Sequence, residues 1–247
     1  MTRHFGLVGK SLSHSFSKRY FDDKFTENGL DGSYSLFELP DIALLPCLLD
    51  AHPQLAGFNV TIPYKQLIMP YLDALSDEAA AIGAVNTVRV ERNGTARKLV
   101  GFNTDVVGFA NSLQGQPLPP AALVLGTGGA AAAVSYALKR LLVPYRFVSR
   151  TKRHDVLTYS ELSEDTLQAY PFVINCTPLG TAFGMENQKP PLPYNGLSEY
   201  NFLYDLVYNP PVTRFLQEGK QHGARIQNGL QMLHLQAEAS WQIWNCL

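Results

Sequence analysis

The chain has 247 residues, 46% hydrophobic and 17% charged, with 20 basic and 21 acidic residues for a net charge of −1. That length suits one large domain or two small ones with a real core, and the balanced charge excludes a basic footprint for nucleic acid or an anionic membrane. No apolar run is long enough to span a bilayer, MTRHFGLVG lacks a signal peptide's apolar core, and Cys47, Cys176 and Cys246 fit neither a disulfide framework nor a zinc site, so a cytoplasmic protein without a metal is expected.

In chain order, HFGLVG reads as a short buried strand. SFSKRYFDDKFTENGL has helical spacing at Phe16, Tyr20, Phe21 and Phe25, and Gly29 can end it. SYSLFEL alternates as a strand, and DIALLPCLLDAHP reads as a second short helix. GFNVTIPYK begins as a third strand, with Phe58, Val60 and Ile62 alternating with Asn59 and Thr61, and Pro63 stops it two residues before Lys65. Taken alone, that lysine simply opens a surface helix, KQLIMPYL. AVNTVRVERNG and RKLVGFNT form a hairpin around Asn93-Gly94. This half predicts an α/β sandwich with a mixed sheet.

After the proline-rich QGQPLPPA come AALVLG, YRFVSR, FVINCTPLG, NFLYDLVYNP and ARIQNG, short apolar strands of the buried parallel type, with a strong helix in GTGGAAAAVSYALKRLL. The pattern is a dinucleotide-binding βαβ fold. In its first turn, Gly126 permits the tight bend, Gly128 lets the backbone approach a pyrophosphate and Ala131 lets helix pack on strand. Thr127, Gly129 and Ala130 complete that loop, and the helix N-terminus offers its N–H groups to phosphate. The next strand ends in Ser149-Arg150-Thr151-Lys152-Arg153, where an acid would favour NAD. Two hydroxyls and three cations suit the 2′-phosphate of NADP instead.

Taken together, SLSHSFSK, NVTIPYK, AVNTV, GFNTD, GTGGA, SRT, INCTPLG, YDLVYNP and NGLQML with Gln236 resemble the shikimate dehydrogenase family over nearly the whole chain. The resemblance implies an NADPH-dependent reduction of 3-dehydroshikimate to shikimate. It implies two domains with a cleft between them, residues 1–104 and 230–247 for substrate and catalysis and 105–229, Rossmann-like, for NADP. The alcohol's proton needs an acid–base group, and the family places Lys65 and Asp105 there. We read Lys65 as the acid–base and Asp105 as its orienting partner; closely coupled groups titrate as a pair, so which carries the proton stays open. Asp105 also suits the N-cap of VVGFANSL.

The resemblance further implies Ser13 and Ser15 on the substrate carboxylate. Thr61, Asn86 and Asp105 fall to its hydroxyls, with Asn59, Lys65, Tyr208 and Gln236 as further substrate-binding residues. Thr177 and Pro178 fall to the cofactor, with Met232 and the Gly229 carbonyl beside the nicotinamide. Read as turn chemistry alone, SLSHS is a helix cap. The chain departs from the family at Ser149, where asparagine is usual, and in the stretch from Thr151 to Leu157, too short for the usual crossover helix. A missing helix, or an irregular loop in its place, is expected, with a thinner adenosine pocket. Partners are confined to the small-molecule substrate, with no nucleic acid or membrane and a monomer or homodimer. The rival readings are a quinate/shikimate dehydrogenase tolerating NAD, a binding protein without catalysis, and a folate-type dehydrogenase. Arg150, the Lys65–Asp105 pair and the SLSHS block argue against these in turn.

Overall fold

A computed structural model of the chain describes residues 3–12, 15–94, 96–182 and 184–245. Backbone contacts divide it into two compact units, Met1–Thr104 with Ala237–Leu247, and Asp105–Gln236. The second segment of the first unit begins at Ala237, within the last helix. No helix among the described residues is long and apolar enough to cross a membrane.

The first unit runs β1 (Arg3–Gly9), α1 (Phe16–Glu27), β2 (Gly32–Glu38), α2 (Leu45–Ala51), β3 (Leu55–Val60), α3 (Tyr64–Leu67), β4 (Ala74–Leu75), α4 (Asp77–Ile82), β5 (Thr87–Asn93) and β6 (Ala96–Phe102). Its six-stranded sheet has the order β2-β1-β3-β5-β6-β4. β1 pairs parallel with β2 and β3, whereas β5 runs antiparallel to β3 and β6, so the sheet is mixed as expected. Alternate residues of β1 feed two cores. Val8 joins Leu45, Leu49, Phe58, Val60 and Ile68, while Phe5 and Leu7 join Phe21, Phe25, Tyr34 and Trp244. Trp244 stacks on Phe5 with ring centroids 4.7 Å apart and donates its indole N–H to the Val88 carbonyl at 3.0 Å. A Cβ on Gly57 would lie 2.4 Å from that indole, so the ring reaches the sheet only over a glycine.

The second unit runs α5 (Asp105–Ser112), β7 (Ala122–Leu125), α6 (Gly129–Arg140), β8 (Tyr145–Ser149), β9 (Val156–Thr158), α7 (Glu164–Ala169), β10 (Phe172–Asn175), β11 (Phe202–Asp205), α8 (Arg214–Gln221), β12 (Arg225–Asn228) and α9 (Leu230–Asn245). All its strand pairs are parallel, in the order β12-β11-β10-β7-β8-β9. Counted from β7, that is the doubly wound order 3-2-1-4-5-6, which reverses between β7 and β10. β7 and β10 are buried along their whole length, which is why they read as continuous apolar runs.

Several local expectations are corrected. The alternation read in GFNVTIPYK fails: β3 ends at Val60, Asn59 is buried and Ile62 is 68% exposed. β3 lies between β1 and β5 with both faces covered, so no polar face exists to alternate with. KQLIMPYL is not one helix; α3 starts at Tyr64, and a 3₁₀ turn over Met69–Tyr71 follows, because Pro70 has no N–H to continue the ladder. DIALLPCLLDAHP likewise splits into a 3₁₀ turn over Ile42–Leu44 and α2, with Pro46 in the first turn of α2. The crossover from β8 to β9 is the irregular stretch 150–155, with no helix, as its length required.

Candidate active site

In the first unit, two of the polar residues singled out by sequence, Asn59 and Asn86, lie in a buried network. The Asn59 side-chain amide donates to the Asn86 carbonyl at 3.2 Å, Thr87 Oγ1 at 3.1 Å and Ser240 Oγ at 2.9 Å. Its Oδ1 accepts from the Tyr34 hydroxyl at 2.8 Å. Every polar atom of Asn59 is thus engaged by the protein itself. Asn86 Oδ1 accepts the Thr104 backbone N–H at 2.7 Å, and its amide donates to Thr104 Oγ1 at 2.9 Å. Asn86 therefore fixes the residue immediately before Asp105. The hydroxyls of Thr87 and Thr104 lie 2.8 and 3.1 Å from Ser240 Oγ, at the hub. Sequence reasoning missed Thr87, Thr104 and Ser240. The signal was an N-T pair in each of AVNTV and GFNTD, an amide beside a hydroxyl at the start of β5 and just past the end of β6.

Around this network stand the other substrate candidates. Lys65 is half-buried in α3, which Thr61 initiates by accepting the Tyr64 N–H at 2.8 Å. The Lys65 carbonyl also accepts the Val85 N–H at 2.7 Å, so the backbone at the lysine is pinned. The Thr61 hydroxyl makes no hydrogen bond among the described residues. Ser15 is the N-cap of α1, its Oγ accepting the Ser17 N–H at 3.2 Å, as turn chemistry predicted. Ser13 lies outside the described residues.

In the second unit, Asp105 is the first residue of α5, just inside the expected N-cap position, and is only 5% exposed. A carboxylate in a helix's first turn is favoured by the N-terminal dipole. Tyr208 is half-buried in the loop after β11. Met232 and Gln236 lie on α9, which approaches α5 closely: a Cβ on Gly108 would sit 2.6 Å from the Met232 carbonyl oxygen and 3.0 Å from Gln236 Cβ. Gly229 is equally constrained, since a Cβ there would lie 2.2 Å from the Leu206 carbonyl oxygen. Its carbonyl accepts the Leu233 N–H at 2.9 Å in the first turn of α9.

The nucleotide end is built from backbone at the point where strand order reverses. Gly126 has φ +106°, a conformation that requires glycine, and its N–H donates to the Val148 carbonyl at 2.8 Å. Gly128 is the N-cap of α6 without a side-chain cap, and a Cβ there would meet nothing within 4 Å. The protein itself does not demand a glycine at Gly128. That open space beside the uncapped start of α6 fits a pyrophosphate. Ala131, 1% exposed, seats the helix on the sheet. Across the switch point, Thr177 follows β10, its hydroxyl donating to Asn175 Oδ1 at 2.6 Å, with Pro178 exposed beyond it.

Asn175 also donates to Asp205 at 2.9 Å, and Asp205 receives the Val207 N–H at 3.0 Å and the Thr213 hydroxyl at 2.5 Å. Burial pushes this carboxyl up to about 7, opposed by the three donated hydrogen bonds. Burial likewise pushes the Cys176 thiol well up, with Asp205 and Asp105 reinforcing it, so this thiol is not a nucleophile.

The basic run after β8 is only partly available. Ser149 Oγ donates to the Thr151 carbonyl at 2.5 Å and accepts the Thr151 N–H at 3.2 Å, closing the turn on itself. Lys152 is paired with Glu161 at 2.5 Å. Arg150 is exposed and makes no ion pair or hydrogen bond among the described residues. Glu161 is a residue that sequence reasoning missed, although T-Y-S-E is a capping-box pattern.

Comparison with known proteins covers nearly the whole chain. Residues 7–88 match the family described as the shikimate dehydrogenase substrate binding domain. A shikimate dehydrogenase (NADP(+)) of Clostridium beijerinckii is 37% identical over 97% of this chain and 91% of its own length. The crystal structure of the Thermus thermophilus shikimate 5-dehydrogenase in complex with NADP(H) and shikimate superposes with a TM-score of 0.86, at 33% identity over 99% of this chain and 94% of that one. A quinate dehydrogenase from Corynebacterium glutamicum in complex with NAD has a TM-score of 0.85 at 26% identity, covering 100% of this chain and 94% of that one. With sequence identity of this level running from the first strand through the last helix, the chain belongs to the shikimate dehydrogenase family.

Proposed function

We propose that this protein is an NADP-dependent shikimate dehydrogenase, reversibly reducing 3-dehydroshikimate to shikimate in the pathway to chorismate and the aromatic amino acids. The observation that carries this reading is the full-length relationship to an NADP(+) shikimate dehydrogenase at 37% identity. Lys65 and Asp105 are both present where the motifs assign the acid–base pair.

The residues divide the work by chemistry. Bound NADPH supplies the hydride. Lys65 delivers a proton to the carbonyl oxygen on reduction and recovers it on oxidation, and Asp105 orients the lysine. Ser13, Ser15, Thr61, Tyr208 and Gln236 hold the carboxylate and hydroxyls of the substrate. Asn59, whose amide is fully engaged, positions Asn86, which in turn holds Thr104 and the entry to α5. Gly126 to Ala130 cradle the pyrophosphate, Arg150 and Thr151 take the adenosine 2′-phosphate, and Thr177, Pro178, Gly229 and Met232 enclose the nicotinamide side. Residues 1–104 with the end of α9 act as the substrate-binding part and the rest as the cofactor-binding part. A cytoplasmic location suits a chain in which Cys47 and Cys176 are free. Light scattering will tell monomer from homodimer.

The test is a set of four initial rates, shikimate or quinate with NADP⁺ or NAD⁺, followed at the absorbance of the reduced nicotinamide. Activity confined to shikimate with NADP⁺ is the expected result. Comparable rates with quinate and NAD⁺ would favour the quinate dehydrogenase reading, and no rate in any combination would favour a binding protein.

A further inference from the structure

The cations after β8 do not stand alike toward an adenosine phosphate. Arg150 has no ion pair or hydrogen bond among the described residues, whereas Lys152 Nζ lies 2.5 Å from Glu161 Oε1. Glu161 is held in place from its other oxygen: Oε2 accepts the Thr158 N–H at 2.7 Å and the Thr158 hydroxyl at 2.9 Å, capping the 3₁₀ turn Tyr159–Glu161. Lys152 and these donors hold its carboxyl well below the usual range, at about 2, so the charge is present throughout the physiological range. The pairing follows from the short crossover. With only 150–155 between β8 and β9, the turn that starts after β9 comes back beside the basic run, and an acid in that turn reaches the lysine. A helix in the crossover would have separated them.

We propose that Glu161 determines cofactor specificity by competing with the adenosine 2′-phosphate for Lys152, which lowers the preference for NADP over NAD. The inference rests on the NADP reading above. Two anions contend for one ammonium, and the carboxylate is always at hand because it is part of the chain. Arg150 is left as the principal reader of the 2′-phosphate, since Ser149 is turned onto Thr151. The pair is solvent-exposed, with side chains 60% and 41% accessible, so a phosphate dianion can displace the carboxylate at a modest cost.

Glu161→Gln separates charge from structure. Glutamine keeps the acceptor that caps the turn and removes the charge. The experiment is calorimetric titration of the full chain with 2′,5′-ADP and with 5′-AMP, for the native protein, Glu161→Gln, Lys152→Ala and the double variant. Expected is roughly 3- to 5-fold tighter binding of 2′,5′-ADP by Glu161→Gln, with 5′-AMP unmoved. Lys152→Ala should change little in the native background and should remove the gain in the Glu161→Gln background. An unmoved ratio of the two affinities in Glu161→Gln, or a gain that survives loss of Lys152, overturns the competition. Failure of every variant to bind either nucleotide would overturn the NADP reading itself, and this inference with it.

Discussion

The two units hold their candidate functional groups in opposite ways. In the first, side chains hold side chains: Asn59, Asn86, Thr87, Thr104 and Ser240 satisfy one another in a buried network beneath an aromatic core. In the second, the main chain does the holding, through Gly126 at φ +106°, the uncapped start of α6 and the close approaches at Gly108 and Gly229. A side-chain network fails one hydrogen bond at a time, whereas a backbone site fails when a Cβ or a wrong φ is introduced. The first unit should therefore show graded losses in substrate handling, and the second should show changes in cofactor preference.

The largest effect should come from Lys65→Ala, with kcat down on the order of 10²–10⁴ and shikimate binding much less changed. A variant with near-native turnover would remove the proton-transfer role. Next, Trp244→Ala should destabilise the first unit by about 3–5 kcal/mol in denaturant unfolding, because it empties the space over Gly57 and strips the Val88 carbonyl of its donor. A loss below about 1 kcal/mol would show that the aromatic cluster is not what holds α9 to that unit.

Asp205 gives the second unit a pH dependence between the acid range and neutrality. Its carboxyl is raised from 3.8 to about 7 in the fold, so its contribution to stability is fully present below pH 3.8 and is lost as pH rises through about 7. Over that window the loss amounts to at most about 4 kcal/mol. Asp205→Asn should flatten this part of the curve; an unchanged slope between pH 4 and pH 7 would assign it elsewhere.

Arg150→Ala should raise KM for NADP⁺ about 10- to 100-fold, the scale of a charged hydrogen bond, and leave KM for NAD⁺ nearly unmoved. Equal effects on both cofactors would show that Arg150 does not read the 2′-phosphate. The smallest effect is expected of Ser240→Ala, about 1–3 kcal/mol, since it removes the hydroxyl shared by Asn59, Thr87 and Thr104 while three other bonds to the Asn59 side chain persist. A shift in KM for shikimate exceeding that for NADP⁺ would place this network on the substrate side.

Legibility in the sequence followed the range of the interactions. The β7 to α6 turn was readable because its requirements are local: a positive φ at Gly126, an open approach at Gly128 and a small residue at Ala131. The central parallel strands β7, β10 and β11 were readable because full burial makes each an apolar run, whereas β9, a half-buried edge strand of three residues, was not read. α8 was not, although Thr213 caps it through the Leu216 N–H at 3.3 Å and Phe215, Leu216 and Gly219 form its buried side. The GFNVTIPYK alternation misled because a strand covered on both faces has no polar side to show.

By itself, the sequence determined the two-part α/β organisation, the turn at Gly126, the cap at Ser15 and the absence of a helix between β8 and β9. These depend on neighbours along the chain, on residue volume and on chain length. Only the tertiary structure decided that Asn59 is bonded on every side, that Ser240 is the hub of its network and that Lys152 is held by Glu161. Asn59 and Ser240 are 181 residues apart, and such pairings are set by where strands and helices come to rest rather than by any local preference.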